Sequence, residues 1–365
     1  MTRSFAKALT KGRTRRSFLA GVGASAVGIT FSRPGAFGAD ATEESKLNFY
    51  NWDTYIGETT LEDFKTASGI EVKLNLFSSN DELFAKLRAG NAGYDVIVPG
   101  SELVERMAKA DMLMPLDHSK IPNFKNIAPE FQDASYDPKR QFSMPYTWLV
   151  IGIGYRKSKV KEIPDSWKVL FDSDEFKDRL AVMGDASELF RAGFKYLGKG
   201  VNDATAENIK AVEALLIKQK ANIKAFHDDN GQDLLLSGEV DVVMEYNGDI
   251  AQIMAEDEDI GFVVPKEGSI RQADCLAIPK GAPHPENAHK FINYLLDAEA
   301  GAAISTAIRY PSPNAAATAL MPDDYKSNAC IFPPADVMAK CEYPRYGGED
   351  VAKLLDEALT RLRAS

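Results

Sequence analysis

The residues with most chemistry per length lie in one run near the start of the globular part of the chain, FYNWDTYI at 49–56. Asn51, Trp52, Asp53 and Tyr55 crowd there into the turn that follows a short apolar strand. Two aromatic rings beside a carboxylate make a seat for a cation carried on an alkyl body. The same rings can also be core residues capping the strand, and these eight residues alone leave both readings open. Three further places put polar groups after an apolar strand. Ser101 follows YDVIVPG, Asn247-Gly248-Asp249 follows VDVVMEY, and Gly184-Asp185-Ala186-Ser187-Glu188 follows a short strand at 180–183. Asp185 and Glu188 stand three apart at the start of a helix, which is capping-box spacing. Asp274 lies inside the apolar stretch RQADCLAI. An acid there needs a cationic or hydrogen-bonded partner, because burying it alone is costly.

Other chemistries lack their residues. The four histidines, His118, His227, His284 and His289, do not share a helix face, and no Cys-x-x-Cys occurs, so no metal site is expected. Gly152 and Gly154 form a Gly-x-Gly without the third glycine of a dinucleotide loop. Phosphate-loop and nucleophile-elbow motifs are missing as well. No carboxylate pair stands out as acid and base. The chain therefore reads as a non-enzyme that needs no cofactor.

The elements that must position these groups follow from periodicity. A helix is expected over 59–68, with Thr60 as its N-cap and Gly69 as its stop. A strand follows over 70–77, a helix over 80–89, a buried strand over 94–98 and a helix from Ser101. This β-α-β-α-β-α rhythm predicts a parallel sheet with helices on its faces. In such sheets ligands bind at the carboxyl ends of the strands, which puts Trp52 and Ser101 on one rim. The apolar stretch 142–155 is a strand pair or a crossing into a second lobe. Helices are expected over 188–197, 206–218, 289–296 and 350–363, and strands over 240–246, 262–264 and 271–278.

Composition bounds the rest. The chain has 365 residues, 45% of them hydrophobic and 26% charged, which suits two globular domains. Residues 1–39 carry seven basic residues and no acid. Arg15-Arg16-Ser17-Phe18-Leu19 opens an apolar run to Phe31, and Ala36-Phe37-Gly38-Ala39 supplies small residues for cleavage. This pattern predicts a twin-arginine export signal, hence the twin-arginine export machinery as a partner and a periplasmic location. Losing that segment takes the formal net charge from −10 to about −17. So acidic a protein is not expected to bind nucleic acid or an anionic membrane; cationic partners suit it. With three cysteines at least one thiol stays unpaired; Cys330 and Cys341 can pair after export, and spacing does not decide it.

Taken together, FYNWDTYI, FSSNDELFAKLRAG, YDVIVPGS, MPYTW with IGIGY, GDASELF, YNGD, VPKEGSIRQADCLAIP, FINYLL and RYPSPNAA resemble the bacterial periplasmic spermidine/putrescine-binding proteins, the soluble receptors of polyamine ABC importers. The resemblance runs over nearly the whole mature chain. It implies a two-lobed α/β periplasmic binding protein of type II-like fold. Each lobe is a mostly parallel sheet flanked by helices, and the lobes are joined by a hinge of crossover strands. The expected boundaries are 40–146 and 270–345 for the first lobe, 147–269 for the second, and a C-terminal helix over 346–365. The resemblance implies a small cationic amine as ligand, permease subunits in the inner membrane as partners, and a monomer. It places Trp52, Asp53 and Tyr55 on the first lobe and Ser101 in a loop lining the cleft. Asp185 and Glu188 would hold one ammonium end, with Asp274 receiving the other. Tyr246 stands where the family has Trp, Asp249 matches an acid of putrescine-type members, and Tyr310 matches a cleft tyrosine. The family's aromatic before the central acid is missing here, with Arg271 and Gln272 in its neighbourhood.

An arginine in the cleft would favour a carboxylate. An ω-amino acid such as γ-aminobutyrate is therefore the second reading, with its carboxylate on Arg271. A secreted hydrolase of polyamine conjugates is the reading from another class.

Overall fold

The computed structural model describes residues 43–90, 93–228 and 230–365, so the expected export signal at 1–39 lies outside the described residues. Among the described residues no helix is long and apolar enough to cross a membrane.

Among the described residues nine strands form one sheet: β1 (Lys46–Trp52), β2 (Glu71–Phe77), β3 (Val96–Ile97), β4 (Ser143–Arg156), β5 (Leu180–Met183), β6 (Ile223–His227), β7 (Val242–Tyr246), β8 (Ile260–Val263) and β9 (Arg271–Ala277). The order is β2-β1-β3-β9-β4-β7-β5-β6, with β8 also on β4. The outer pairs, β1 with β2 and β3 and β5 with β6 and β7, are parallel, as the helix-strand rhythm requires. The pairs in the middle, all involving β4 or β9, are antiparallel.

The stretch 142–155 is neither two strands nor a plain linker. It is one 14-residue strand serving two half-sheets. Its first part, Ser143 to Val150, pairs with β9, and its last part, from Ile151, pairs with β7 and β8. A strand flanked on both sides leaves little room for side chains. A Cβ on Gly152 would lie 2.6 Å from the Val263 carbonyl oxygen and against the Phe262 ring, which accounts for IGIGY without a nucleotide.

Each half-sheet has its own core. Around the first, Phe49 and Phe64 meet Phe291 edge-on at 5.1 and 4.9 Å. Around the second, Phe190, Phe194 and Val212 pack with Leu355, Ala358 and Leu362 of the last helix, Glu349–Ala364. The C-terminal helix thus belongs to the second core.

Local signals mostly hold. The helix Thr60–Ser68 ends at Gly69, whose φ of 72° is the left-handed stop expected of a glycine. Thr60 is its first helical residue, however, and Thr59 holds the cap position. Strand β6 and the helix Ala298–Ile308 were not expected. β6, at the sheet edge, keeps only His227 buried and shows no apolar face to read. All three cysteines are free thiols.

Candidate functional site

Strand ends and one bulge assemble the site. β1 ends at Trp52, whose indole N–H donates to the Val98 carbonyl at 2.9 Å while its ring lies 4.4 Å from Phe77. The turn after it is tied down by two side chains. Asn51 Nδ2 and the Tyr146 hydroxyl both donate to the Tyr55 carbonyl, at 2.9 Å each. The Tyr55 ring is thereby aimed at the middle of the sheet. Its hydroxyl donates to Asp274 Oδ2 at 2.7 Å and lies 2.6 Å from Thr147 Oγ1. Thr147 reaches that point because the β4–β9 register shifts between Pro145 and Thr147, which sets Thr147 opposite Asp274.

Alternation along β9 decides which neighbours join. Gln272 and Asp274 share one face. They line a cavity of about 300 Å³ together with Trp52, Asp53, Tyr55 and Tyr310. The opposite wall comes from the second half-sheet, with Tyr246 at the end of β7, Asp249 in the following helix Asn247–Ile253, and then Glu256. Asn247 fixes that corner by accepting from the Val150 N–H and donating to the Cys330 carbonyl, at 3.0 and 3.1 Å. Gly248 is required there, since a methyl group in its place would collide with the Tyr310 ring. Tyr310 packs edge-on to Tyr55 at 4.9 Å and hydrogen-bonds Asp249. Two hydrogen-bonded pairs, Tyr55 with Asp274 and Tyr310 with Asp249, are thus joined through the edge-on contact of the two rings.

Arg271 is the correction. It occupies the other face of β9, where its guanidinium lies 4.9 Å from the Trp148 ring, 5.2 Å from Tyr343 and 5.4 Å from Phe131. A one-residue step along a strand reverses the side chain, so Gln272 and Arg271 cannot both enter one cavity. Ser101 is fully buried as the first residue of the helix Ser101–Lys109 and does not line the cavity.

Asp185 and Glu188 border a second, larger cavity of about 710 Å³. Asp185 caps the helix Ala186–Tyr196, accepting from the Glu188 N–H at 3.0 Å as the spacing predicts. The Glu188 carboxylate accepts from Gln272 Nε2, and its other oxygen is buried without a partner. Gln272 and Asn80 line both cavities, so the two adjoin. Sequence reasoning missed Asn80, Thr147, Asp233, Gln252 and Glu256. Thr147 depends on the bulge; Asn80 opens the helix expected over 80–89, but no local pattern aims its side chain at the cavity, and Asp233, Gln252 and Glu256 sit on or just after short helices.

The electrostatics of the smaller cavity are one-sided. Asp53, Asp233, Asp249, Glu256 and Asp274 line it, and no Lys, Arg or His does so among the described residues. Asp53, Asp233 and Glu256 are exposed at its edge, while Asp274 is buried. Burial pushes the Asp274 carboxyl up to about 6, against the opposing pull of its bonds to Tyr55 and Thr147. The Glu188 carboxyl is pushed up to about 8, by burial first and then by Asp185. Among the described residues no group of three or more His, Cys, Asp and Glu is placed to hold a metal ion. Such a cavity can hold a cation: carboxylates for its charges and rings for its apolar body.

Residues 59–333 match the family described as bacterial extracellular solute-binding protein. The putrescine-binding periplasmic protein PotF of Escherichia coli is 33% identical over 346 residues, 90% of this chain and 94% of that one. A putrescine/cadaverine-binding protein of Pseudomonas aeruginosa is 34% identical over 316 residues, 83% of this chain and 89% of that one. Among solved structures, the spermidine/putrescine ABC transporter substrate-binding protein PotD of Streptococcus pneumoniae superposes with a TM-score of 0.78 at 29% identity, covering 87% of this chain and 98% of that one. A structure titled Atu4243-GABA receptor, at 22% identity and a TM-score of 0.67, shares the fold.

Proposed function

The chain belongs to the bacterial extracellular solute-binding proteins, and we propose that it is the soluble receptor of an ABC importer, binding a polyamine in the cavity between its two half-sheets. The observation that carries the reading is the composition of that cavity among the described residues: five carboxyl groups, the rings of Trp52, Tyr55, Tyr246 and Tyr310, and no basic side chain. A linear diamine at neutral pH is a cation at each end with a hydrocarbon rod between. Asp274, braced by Tyr55, takes one ammonium. Asp249, braced by Tyr310, takes the other, and the exposed Asp53, Asp233 and Glu256 draw the cation in. The rings cover the methylenes, each adding about 0.5–2 kcal/mol of cation–π attraction according to its desolvation. A volume near 300 Å³ lies at the small end of ligand sites and suits putrescine better than a bulky cation.

The relatives named above are binding proteins, and the receptor reading assigns no catalysis. β4 and β9, the strands shared by the two halves, are the hinge about which the lobes close on ligand. Closure presents both lobes to the permease subunits. The protein acts after export, with residues 1–39 as its twin-arginine signal, and it works as a monomer. The γ-aminobutyrate reading loses its support with Arg271, the residue assigned to the carboxylate, on the far face of β9. Titration of ligand-free protein with putrescine, followed by tryptophan fluorescence, tests the reading. Saturable one-to-one binding supports it, and an unchanged signal with no heat on mixing contradicts it.

A further inference from the structure

Two consecutive side chains of β4 reach the same residue, which a regular strand forbids because its neighbours face opposite sides. The Tyr146 hydroxyl donates to the Tyr55 carbonyl at 2.9 Å, and Thr147 Oγ1 lies 2.6 Å from the Tyr55 hydroxyl. The register shift makes this possible. Pro145 stands opposite Cys275, Thr147 stands opposite Asp274, and Tyr146 is the extra residue between them. Proline brings no N–H to the ladder, so the irregularity falls where one bond is missing in any case. The result is a fully buried hydroxyl, that of Thr147, delivered to the Tyr55–Asp274 pair. Counting protons fixes the direction of its bond. A carboxylate only accepts, so Tyr55 gives its one hydroxyl proton to Asp274 Oδ2 at 2.7 Å. The proton in the 2.6 Å contact is therefore that of Thr147. The Thr147 hydroxyl also bonds the carboxylate itself, so both protons of the cluster point toward the negative charge.

We propose that Thr147 is a positioning residue that sets the lower pH limit of ligand capture, acting with Tyr55 to hold the buried Asp274 ionised. The inference rests on the polyamine reading of the smaller cavity. A buried carboxylate tends to take up a proton, and once neutral it offers an ammonium no charge. Among the described residues no cation opposes that tendency from within the cavity. The titratable groups around Asp274 are the phenols of Tyr55 and Tyr146, the Cys275 thiol next to it and, past Tyr55, the Asp249 carboxyl. The cavity's other acids, Asp53, Asp233 and Glu256, are negative as well. Arg140 lies behind the far face of β9, where it bonds Tyr136 against Cys275. What holds the charge is the pair of hydroxyls, which favour the ionised form alone. Against burial they leave Asp274 ionising at about 6, so the carboxylate is charged at neutral pH. Without the Thr147 proton that balance moves up, and capture fails in mildly acid surroundings. Thr147 is not among the described residues that line the cavity, so its effect reaches the ligand through Asp274 and not by contact.

The test is calorimetric titration with putrescine between about pH 5.5 and 8 of wild-type protein, Thr147→Val and Thr147→Ser. Valine keeps the branched shape and removes the hydroxyl, while serine keeps the hydroxyl. One hydrogen bond corresponds to about one unit on the pH axis. Thr147→Val should therefore bind about fivefold more weakly than wild type at pH 6 and within about twofold of it at pH 8. Thr147→Ser should follow wild type. Taking ratios between proteins at each pH cancels what Asp249, Glu188 and the amine contribute in common. A role in packing alone predicts a loss that does not vary with pH, so parallel curves overturn the proposal. A Thr147→Ser curve that matches Thr147→Val overturns it too. If the valine variant does not fold, Thr147→Ala also removes the hydroxyl and must move the curve the same way; an unmoved curve overturns the proposal. Wild-type protein that binds no putrescine at any pH refutes the polyamine reading itself. Wild-type binding that stays constant over the whole range refutes control by ionisation, and with it this proposal alone.

Discussion

Tyr55 donates its phenol hydroxyl to Asp274 Oδ2 at 2.7 Å, joining the turn after the first strand to the ninth strand. This bond holds the buried carboxylate at one end of the cavity, and it is the part of the site that the ligand must complete. Asp274→Asn keeps the shape and removes the charge. The expected loss of putrescine affinity is at least about 2 kcal/mol, roughly thirtyfold, the cost of an ammonium left without its anion. Isothermal calorimetry reads it, and an unchanged affinity would remove Asp274 from the site.

The other end is tested through Tyr310. Tyr310→Phe keeps the ring against Tyr55 and Gly248 but removes the hydrogen bond to Asp249. Affinity should fall by about 1 kcal/mol, as for one ordinary hydrogen bond. Gly248→Ala pushes the ring itself and should cost more. If Gly248→Ala binds putrescine as tightly as wild type, Tyr310 does not wall the site.

Protonation gives a signature of its own. The Asp274 carboxyl ionises at about 6 because it is buried, against an ordinary value near 4. A carboxyl raised in the folded state contributes stability that is present below its unfolded value and lost as pH rises through about 6. The ligand-free protein should therefore lose stability from about pH 4 to 6. A bound dication reverses the sign, because it favours the ionised form. Putrescine affinity should rise with pH up to about 6, and the stabilisation by ligand should grow over the same range. Glu188 likewise contributes stability to the ligand-free protein that is lost as pH rises through about 8; burial first, then Asp185 and Glu102, raise it while Arg191 and Gln272 hold it down. Thermal melts with and without putrescine at pH 5 and 7 read both effects, and equal ligand shifts at the two pH values would contradict this assignment.

Arg271 separates binding from packing. Its guanidinium sits among Phe131, Trp148 and Tyr343 on the face of β9 away from the cavity. Arg271→Met should lower the melting temperature, by roughly 1–3 kcal/mol of stability, while leaving putrescine affinity within about twofold. A large gain in diamine affinity would instead place Arg271 near the ligand.

Much of the fold was legible because its signals are local. Alternation, glycine stops and the Asp185 cap each act within one element, and β1, β2, β5 and β9 follow from them. Strand β4 was ambiguous because a residue run buried along nearly its whole length has no period to read. For the site, the acids and rings at strand ends could be named from position, and family likeness added Tyr246 and Tyr310. Which way they point could not be read. Arg271 and Gln272 are neighbours in sequence, and only the register of β9 against β4 sends one to the rings and the other to the cavity. Thr147 needs the bulge at Pro145. Those are products of tertiary packing, which no local pattern carries.

The central claim is that the cavity reads a positive charge at both ends of an apolar rod. The most direct measurement is calorimetric titration of ligand-free protein with putrescine, N-acetylputrescine and γ-aminobutyrate, three ligands with the same four-carbon spine. The account predicts one-to-one binding of putrescine at least about a hundredfold tighter than either of the others, which lack the second ammonium. Equal or tighter binding of γ-aminobutyrate would contradict it.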